Sequence, residues 1–317
     1  MKEILITGSE GFVGQHLRTE MENAGYDVSG TTLNSDQADQ EKKIFACDVT
    51  DYASLKELIE KLVPDFIIHL AAISAPARSF KEPQKTLEVN TIGTLNLLEA
   101  VKSVPNYSPR ILIVGTSEEY GFVPEEHMPV TETEAFNPAS PYSVSKLAAY
   151  HLSKIYYRCY GQDIIYVSAF NHTGYGQGLG FLTSEVAMQI AKIEKGLQEP
   201  IVYTGNVDSE RDYTDVKDIV RAYRLLLEKG RSGERYNVCS GRSVSIKEVV
   251  EKLISISDIK IDHKVDPQRN RPSEMRILRG SHEKITNDVG WNPEITLDET
   301  LADLLKYYRE INEQKMD

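Results

Sequence analysis

Residues 4–14 read ILITGSEGFVG, an apolar strand pattern that leads directly into three regularly spaced glycines. Glycine tolerates a tight turn and allows a ligand to approach the backbone closely. A Gly8-x-x-Gly11-x-x-Gly14 turn that opens a helix is typical of pyrophosphate binding, because the helix N-terminus favours an anion. An ordinary turn between a strand and a helix can carry the same glycines. The elements that follow favour dinucleotide binding.

Short apolar runs alternate with longer amphipathic segments over the first half of the chain. The predicted strands are 3–7, 26–31, 43–46, 66–71, 110–114 and 163–168, and the predicted helices are 14–24, 52–62, 83–103 and 141–160. Uniformly apolar strands separated by helices indicate a parallel sheet that is covered on both faces. The sequence therefore predicts an α/β fold, a doubly wound parallel sheet of the Rossmann type with a smaller, mixed C-terminal substrate lobe.

The alternation breaks after residue 170, in a stretch rich in glycine. We predict a dinucleotide-binding domain over 1–170, with a return segment at 213–240. The segments 171–212 and 241–317 are expected to form the smaller lobe. The later predicted elements are a helix at 183–196, a strand at 200–204, a helix at 216–229 and a strand at 235–239.

The composition is that of an ordinary globular protein, with 317 residues, 40% hydrophobic and 26% charged. A net charge of −12 argues against nucleic acid or an anionic membrane as partner. No segment approaches the ~20 apolar residues of a membrane span. The three cysteines are widely spaced, which predicts reduced thiols and no metal site. We expect a cytoplasmic protein.

Residues 140–146 read SPYSVSK and carry the most specific local signal. Ser140 can cap a helix that has Pro141 at its first position. Tyr142 and Lys146 then lie one turn apart on the same face. An ammonium near a phenol is expected to lower the pKa of the tyrosine. Such a pair is common by chance on an exposed helix, but together with the glycine turn it predicts a reaction centre.

These motifs resemble a known family. The glycine turn, Thr116 and Tyr142-x-x-x-Lys146 resemble the extended short-chain dehydrogenases/reductases over essentially the full length of the chain. Four further motifs, TSEEYG at 116–121, FNH at 170–172, RDY at 211–213 and RPSE at 271–274, resemble the branch that acts on GDP-mannose derivatives. That branch contains GDP-mannose 4,6-dehydratases and GDP-4-keto-6-deoxy-mannose reductases.

The resemblance implies a role for each candidate site residue. The implied catalytic residues are Thr116, which would hydrogen-bond the sugar O4, Tyr142, which would donate a proton, Lys146, which would hold the nicotinamide ribose, and Glu118, which matches the C5 base of dehydratases. The implied cofactor-binding residues are Gly8, Gly11, Phe12, Val13, Thr31, Asp48, Val49, Leu70, Ala71, Ala72, Tyr142, Lys146 and His172. The implied substrate-binding residues are Asn171, Arg211, Arg271 and Glu274. No role is implied for Glu119, which we interpret as a solvated or structural carboxylate.

Three details of the cofactor site stay open. The second predicted strand ends in GTTLN at 30–34, without the acidic residue that holds a ribose 2′-hydroxyl or the arginine that holds a 2′-phosphate. The sequence therefore predicts NAD(P)H without choosing between NADH and NADPH. Asp48 is equally compatible with an adenine contact and with a turn, and His172 with a nicotinamide contact and with a structural role.

Two departures from the dehydratases favour a reductase. The segment 31–43 is short and lacks arginine, and Ser184-Glu185 stands where dehydratases tend to carry Arg-Lys. We expect NAD(P)H-dependent reduction of the C4 ketone of a GDP-4-keto-6-deoxy-hexose to a GDP-D-rhamnose type product, in polysaccharide biosynthesis, by a homodimer. The alternatives are a GDP-mannose 4,6-dehydratase, which Glu118 keeps open, and a C4 oxidase or epimerase of the same family. A non-catalytic dinucleotide sensor is a further alternative, against which Tyr142 and Lys146 argue.

Overall fold

The computed structural model describes residues 1–269 and 275–314. The strands are β1 (Glu3–Thr7), β2 (Asp27–Thr32), β3 (Ile44–Ala46), β4 (Phe66–His69), β5 (Arg110–Val114), β6 (Asp163–Ala169), β7 (Asn171–Thr173), β8 (Ile201–Thr204), β9 (Glu210–Asp215), β10 (Arg235–Val238), β11 (Ser243–Ser245), β12 (Asp262–Val265) and β13 (Ile277–Leu278). The α-helices are α1 (Phe12–Asn23), α2 (Tyr52–Leu62), α3 (Pro76–Lys81), α4 (Pro83–Leu87), α5 (Gly93–Ser103), α6 (Pro141–Tyr160), α7 (Leu182–Glu194), α8 (Val216–Lys229), α9 (Ile246–Ser255), α10 (Glu283–Val289) and α11 (Leu297–Gln314).

A seven-stranded sheet forms the centre of the fold, in the order β10-β6-β5-β4-β1-β2-β3. Every neighbouring pair in it is parallel. The chain leaves β1 towards β2 and β3, then returns to β4 on the other side of β1. This reversal opens a crevice at the carboxyl ends of β1 and β4, the place where open α/β sheets bind ligands. The predicted doubly wound parallel sheet is confirmed.

The central strands are apolar on both faces because helices cover the sheet on both sides. Ile4 and Ile6 of β1 point into one core cluster, which α1 and α8 complete. Leu5 of the same strand points into the other, which α2, α5 and α6 complete. Successive side chains of a strand point to opposite faces, so one strand anchors both layers.

A smaller sheet surrounds β9, which pairs in parallel with β7 and β13 and antiparallel with β11. The parallel pair β8 and β12 lies apart from it. A third apolar cluster joins α7, α9 and α11 in this part of the molecule. The division of the chain into two domains at residue 170 stays a prediction.

The helix predicted at 83–103 is interrupted, contrary to expectation. A π-helical turn over Glu88–Ile92 separates α4 from α5. Asn90 in this turn is buried, accepts from the backbone N–H of Ile73, and donates to the carbonyl of Ile73 and the hydroxyl of Ser145. These bonds tie the loop after β4 to α6. Such turns occur frequently at functional sites, and here the interruption fixes a wall of the crevice.

Candidate active site

A cavity of ≈ 1010 Å³ opens at the carboxyl edge of the parallel sheet. Residues that follow β1, β2, β4 and β5 line it from the large sheet, and residues 203–206 and Arg211 line it from the region of β8 and β9. The predicted site residues that line it are Gly8, Gly11, Phe12, Val13, Thr31, Asp48, Val49, Leu70, Ala71, Ala72, Thr116, Glu118, Tyr142, Lys146, Asn171, His172 and Arg211. The predicted substrate residues Arg271 and Glu274 lie outside the described residues.

The glycine turn between β1 and α1 leaves no room for a side chain. Gly8 has a φ of +71°, and a Cβ there would lie 3.0 Å from the backbone of Ala71. A Cβ on Gly14 would lie 2.5 Å from the carbonyl oxygen of Gly8. Thr31 holds the turn, because its hydroxyl accepts from the N–H of Gly8 at 3.0 Å. A bare backbone at the start of a twelve-residue helix fits the pyrophosphate of a dinucleotide.

The ends of β2 and β3 border one side of the cavity, where we predict the adenosine of the cofactor. Thr32, Leu33, Asn34 and Asp48 line it there. The carboxylate of Asp48 accepts from the N–H and the hydroxyl of Thr50, each at 2.8 Å, and so closes a local turn. Asp48 therefore both forms a turn and borders the cavity, and its contact with adenine stays a prediction.

Thr116 and Tyr142 meet at the centre of the cavity. Thr116 follows the end of β5 and caps a short 3₁₀ turn, so its side chain stays at the edge of the sheet. Ser140 caps α6 by accepting from the N–H of Ser143 at 3.1 Å, which sets Tyr142 in the first turn. The two hydroxyls are hydrogen-bonded to each other. Both side chains are largely buried, so a ketone placed between them would be shielded from water.

The pKa of Tyr142 is raised, contrary to the sequence-based expectation. Burial raises it most, the carboxylate of Glu118 adds to the effect, and the hydrogen bond from Thr116 opposes it. Lys146 is not among the groups that shift this pKa, and its ammonium donates to the carbonyl oxygen of Val114 at 2.8 Å. The expected lowering of the pKa of Tyr142 is therefore wrong for this structure. Tyr142 stays protonated at neutral pH, which suits a proton donor.

The ammonium of Lys146 lies in a buried environment. Burial lowers its pKa to about 8, and the nearby carboxyl of Glu119 counteracts part of that effect. A charge that is only just retained near neutral pH is sensitive to its neighbours.

Glu119 is fully buried, so the solvated alternative for this carboxylate is wrong and the structural alternative fits. Its Oε1 accepts from the N–H of Thr116 at 3.0 Å and from the hydroxyl of Tyr166 at 2.6 Å. The same Tyr166 hydroxyl lies 2.9 Å from the carbonyl oxygen of Lys146. Burial raises the pKa of Glu119 to about 7, against the hydrogen bonds and the charges of Arg235 and Lys146. Sequence analysis missed this link because Tyr166 comes from a different strand.

Glu118 borders the cavity on the side of Tyr142. The hydroxyl of Ser140 lies 3.5 Å from its Oε2 and donates to it. The side chain thus presents a carboxylate next to the proton donor. That arrangement allows a proton to be taken from a carbon of a bound sugar, as well as electrostatic control of Tyr142.

His172 lies where β6 gives way to β7. Its Nδ1 is 2.9 Å from the carbonyl oxygen of Phe170, so Nδ1 carries the hydrogen and donates. Its ring stacks on Phe12 with 6.4 Å between centroids. Burial lowers the pKa of His172, so the ring is neutral at physiological pH. It joins the glycine turn to β7 and borders the cavity.

Two charged residues at the cavity were not predicted as site residues. Glu185 borders the cavity, and its Oε1 accepts from the N–H of Gly180 at 3.0 Å. Arg78, which follows β4, also borders it and is paired with Glu82. Arg78 comes shortly after the run of small residues that follows the buried strand β4. That position is the sequence signal that could have predicted Arg78 at the cavity.

Within 1–269 and 275–314, no three His, Cys, Asp or Glu side chains come together as a metal site would require. None of the helices in that part of the chain combines the length and apolarity of a membrane span.

A doubly wound sheet, a glycine turn and a hydrogen-bonded Thr/Tyr pair with a lysine one turn on define an extended short-chain dehydrogenase/reductase. The comparisons agree with this class. Residues 5–304 match the family model described as GDP-mannose 4,6 dehydratase. The chain belongs to that family, and the predicted family is confirmed.

Curated relatives align over nearly the whole chain. It is 36% identical to GDP-6-deoxy-D-mannose reductase of Pseudomonas aeruginosa, over 96% of both chains. It is 31% identical to GDP-mannose 4,6-dehydratase of Yersinia enterocolitica, over 96% of this chain and 93% of that protein.

Solved structures agree with the fold. RMD from Pseudomonas aeruginosa, solved in complex with NADPH, superposes with a TM-score of 0.88 at 34% identity, over 98% of this chain and 100% of that one. UDP-glucose 4-epimerase from Thermotoga maritima, solved with UDP-glucose, superposes with a TM-score of 0.86 at 26% identity, over 98% of this chain and 99% of that one.

Proposed function

We propose that this protein reduces the C4 ketone of a GDP-4-keto-6-deoxy-hexose with NAD(P)H. The observation that carries the proposal is the protonated Tyr142 phenol, hydrogen-bonded to Thr116 in a cavity that also contains the glycine turn and Arg211. A relative named as a reductase is 36% identical to this chain, and a relative named as a dehydratase is 31% identical. Both names support an NAD(P)-dependent oxidoreductase of nucleotide sugars.

The residues of the cavity divide the work of the reduction. The cofactor, when bound, supplies the hydride. The groups that would hold the cofactor are the glycine turn, Thr31 and Lys146. Tyr142 donates its proton to the oxygen that becomes the alcohol, and Thr116 orients that oxygen by a hydrogen bond. General acid catalysis of this kind contributes typically ~10²–10⁴-fold. The raised pKa of Tyr142 keeps the proton in place until the alkoxide develops.

The diphosphate of the substrate is assigned to Arg211. Its guanidinium borders the cavity from β9 and donates through Nη1 to the carbonyl oxygen of Glu210 at 2.7 Å. An arginine fork carries five N–H donors, so the group can bind a phosphate in addition to that carbonyl. Asn171, Arg271 and Glu274 stay predicted contacts of the GDP-sugar.

The second candidate is a GDP-mannose 4,6-dehydratase, favoured by one observation. Glu118 places a carboxylate in the cavity beside Tyr142, and dehydration needs a base for the C5 proton. The reductase is preferred because Glu185 borders the cavity at the start of α7. The dehydratases tend to carry basic residues at this position. The acidic side chain of this chain would instead repel a diphosphate.

Turnover by the wild type and by Glu118→Gln distinguishes the two candidates. Each protein is incubated with GDP-mannose and NAD(P)⁺, and separately with GDP-4-keto-6-deoxy-mannose and NAD(P)H, and products are read by mass spectrometry. We expect reduction of the keto sugar by both proteins and no conversion of GDP-mannose by either. Conversion of GDP-mannose by the wild type that is lost in Glu118→Gln would identify a dehydratase.

We also infer a homodimer that pairs through α6. Val144 and Ile155 are about half exposed and lie eleven residues apart on this helix, which is three turns and therefore the same face. Phe80 and Leu87, on helices that pack beside α6, are exposed as well. Sedimentation velocity should give a species of twice 35.7 kDa for the wild type and a monomer for Ile155→Asp. A monomeric wild type would contradict this inference.

A further inference from the structure

The hydroxyl group of Tyr223 is buried and has no hydrogen-bond partner among the residues that the structure describes. The side chain lies on α8 and is 0% exposed. Buried hydroxyls in native proteins nearly always have a partner, because an unpaired one loses its hydration without compensation. An unpaired hydroxyl therefore requires an explanation, and its position supplies one.

Tyr223 borders the cavity at the carboxyl edge of the sheet. Its ring packs in the same core cluster as Val13, Leu70, Val114 and Ala169, which all border the cavity as well. These residues come from the glycine turn and from the ends of β4, β5 and β6. Tyr142 also borders the cavity, and it is near enough to Tyr223 that its ionisation would raise the pKa of Tyr223.

The course of a dinucleotide through the cavity decides which group reaches Tyr223. The pyrophosphate fits the glycine turn, and the adenosine side lies at the ends of β2 and β3, beside Asn34 and Asp48. The opposite half of the dinucleotide must then lie over β5 and β6. That half carries the nicotinamide ring, and Tyr223 forms part of the surface beneath it.

We propose that the Tyr223 hydroxyl hydrogen-bonds the carboxamide of the nicotinamide and so fixes the orientation of the ring. This inference rests on the proposed function, because it requires an NAD(P) cofactor. A phenol both donates and accepts, and a carboxamide offers a carbonyl oxygen and an NH₂ group, so the two are complementary. Orientation decides which face of the ring is turned towards the ketone. Tyr223 is thus a cofactor-positioning residue.

Tyr223→Phe tests the proposal, because it should act in opposite directions on stability and affinity. Removal of an unpaired buried hydroxyl should leave the Tm of the ligand-free protein unchanged or raise it by about 1–3 °C. Loss of one neutral hydrogen bond should weaken NAD(P)H binding about three- to tenfold in isothermal titration. ADP-ribose, the part of the cofactor that lacks nicotinamide, cannot form the proposed hydrogen bond. The affinity of the variant for it should therefore stay within about twofold of the wild-type affinity, a smaller change than the loss of a typical hydrogen bond gives.

Tyr236→Phe is the matched control. Tyr236 is equally buried, but its hydroxyl donates to Asp288 Oδ2 at 2.8 Å and accepts from the N–H of Arg231 at 3.1 Å. It is not among the residues that border the cavity. This variant should lower the Tm and leave the affinity for NAD(P)H unchanged.

The outcomes separate this inference from the proposed function. A wild type that does not bind NAD(P)H would overturn both. A wild type that binds NAD(P)H, together with unchanged affinity in Tyr223→Phe, would overturn the role of Tyr223 alone. Equal weakening of NAD(P)H and of ADP-ribose, or a clear fall in the Tm of ligand-free Tyr223→Phe, would also overturn it.

Discussion

The phenol oxygen of Tyr166 lies 2.6 Å from Oε1 of Glu119, in a site from which water is excluded. The contact joins β6 to the turn that carries Thr116, since the same carboxyl oxygen accepts from the N–H of Thr116. It also approaches α6, because Tyr166 lies against the carbonyl of Lys146. The carboxyl therefore lies behind the reaction centre, and its charge acts on Lys146.

Replacement of Glu119 by glutamine should change the pH dependence of the enzyme. Glutamine can still accept from Thr116 and Tyr166, but it carries no charge to support the ammonium of Lys146. The pKa of Lys146, already lowered to about 8 by burial, should fall further, so the alkaline loss of activity should move to lower pH. A kcat/KM profile between pH 6 and about 9 measures the shift. An alkaline limb that does not move would contradict the role of the Glu119 charge.

The same substitution should alter the pH dependence of stability. Burial raises the pKa of Glu119 from 4.5 to about 7, so its contribution to stability is full below about 4.5 and is lost as the pH rises through about 7. Glu119→Gln removes this dependence. The Tm of the variant minus the Tm of the wild type should therefore increase between pH 4.5 and pH 8. A constant difference across that interval would be inconsistent with a raised pKa.

Tyr142→Phe removes the proton donor and little else. We expect ketone reduction to fall about 10²–10⁴-fold, the range typical of a lost general acid. Affinity for NAD(P)H should change little, because Lys146 keeps its bond to Val114. A stopped-flow measurement of NAD(P)H oxidation gives the rate, and isothermal titration gives the affinity. Turnover near the wild-type rate would exclude Tyr142 as the donor.

Arg211→Ala should weaken the binding of GDP itself. A hydrogen bond to a charged group contributes about 1.5–3 kcal/mol, which corresponds to roughly 10- to 150-fold in Kd. Arg242, an exposed arginine that does not border the cavity, provides the control. Equal GDP affinities for Arg211→Ala, Arg242→Ala and the wild type would mean that Arg211 does not bind the diphosphate.

Asn34→Asp should shift the choice of cofactor towards NADH. Asn34 borders the cavity at the end of β2, and its side-chain oxygen accepts from the N–H of Asp36 at 3.0 Å, a bond that aspartate can keep. A carboxylate there binds ribose hydroxyls and repels a 2′-phosphate. The ratio of kcat/KM for NADH to that for NADPH should rise about tenfold or more, since a like-charge contact costs 1.4 kcal/mol or more. An unchanged ratio would indicate that the 2′-position lies elsewhere.

The sequence was sufficient for the parts of the site that depend on local spacing. Gly8, Gly11 and Gly14 form their turn within one junction, and Tyr142 and Lys146 meet on one helix. Their positions follow from chain geometry alone. The alternation of strands and helices likewise predicted a parallel sheet, without the order of its strands.

The remaining features depend on contacts between distant segments. The burial of Glu119 arises from Tyr166, 47 residues further along the chain, so neighbouring residues gave no sign of it. The raised pKa of Tyr142 depends on its burial and on the nearby carboxylate of Glu118, which only the folded chain brings together. The π-helical turn at Asn90 likewise depends on its bonds to Ile73 and Ser145.

The central claim is that hydride from NAD(P)H reaches C4 of a GDP-4-keto-6-deoxy-hexose in this cavity. Its most direct test is a reaction of GDP-4-keto-6-deoxy-mannose with NAD(P)H that carries deuterium at C4 of the nicotinamide, on the face from which hydride is transferred. The product should be a GDP-6-deoxy-hexose with one deuterium, located at sugar C4 by NMR. Absence of reduced product, or a product without deuterium at that carbon, would contradict the account.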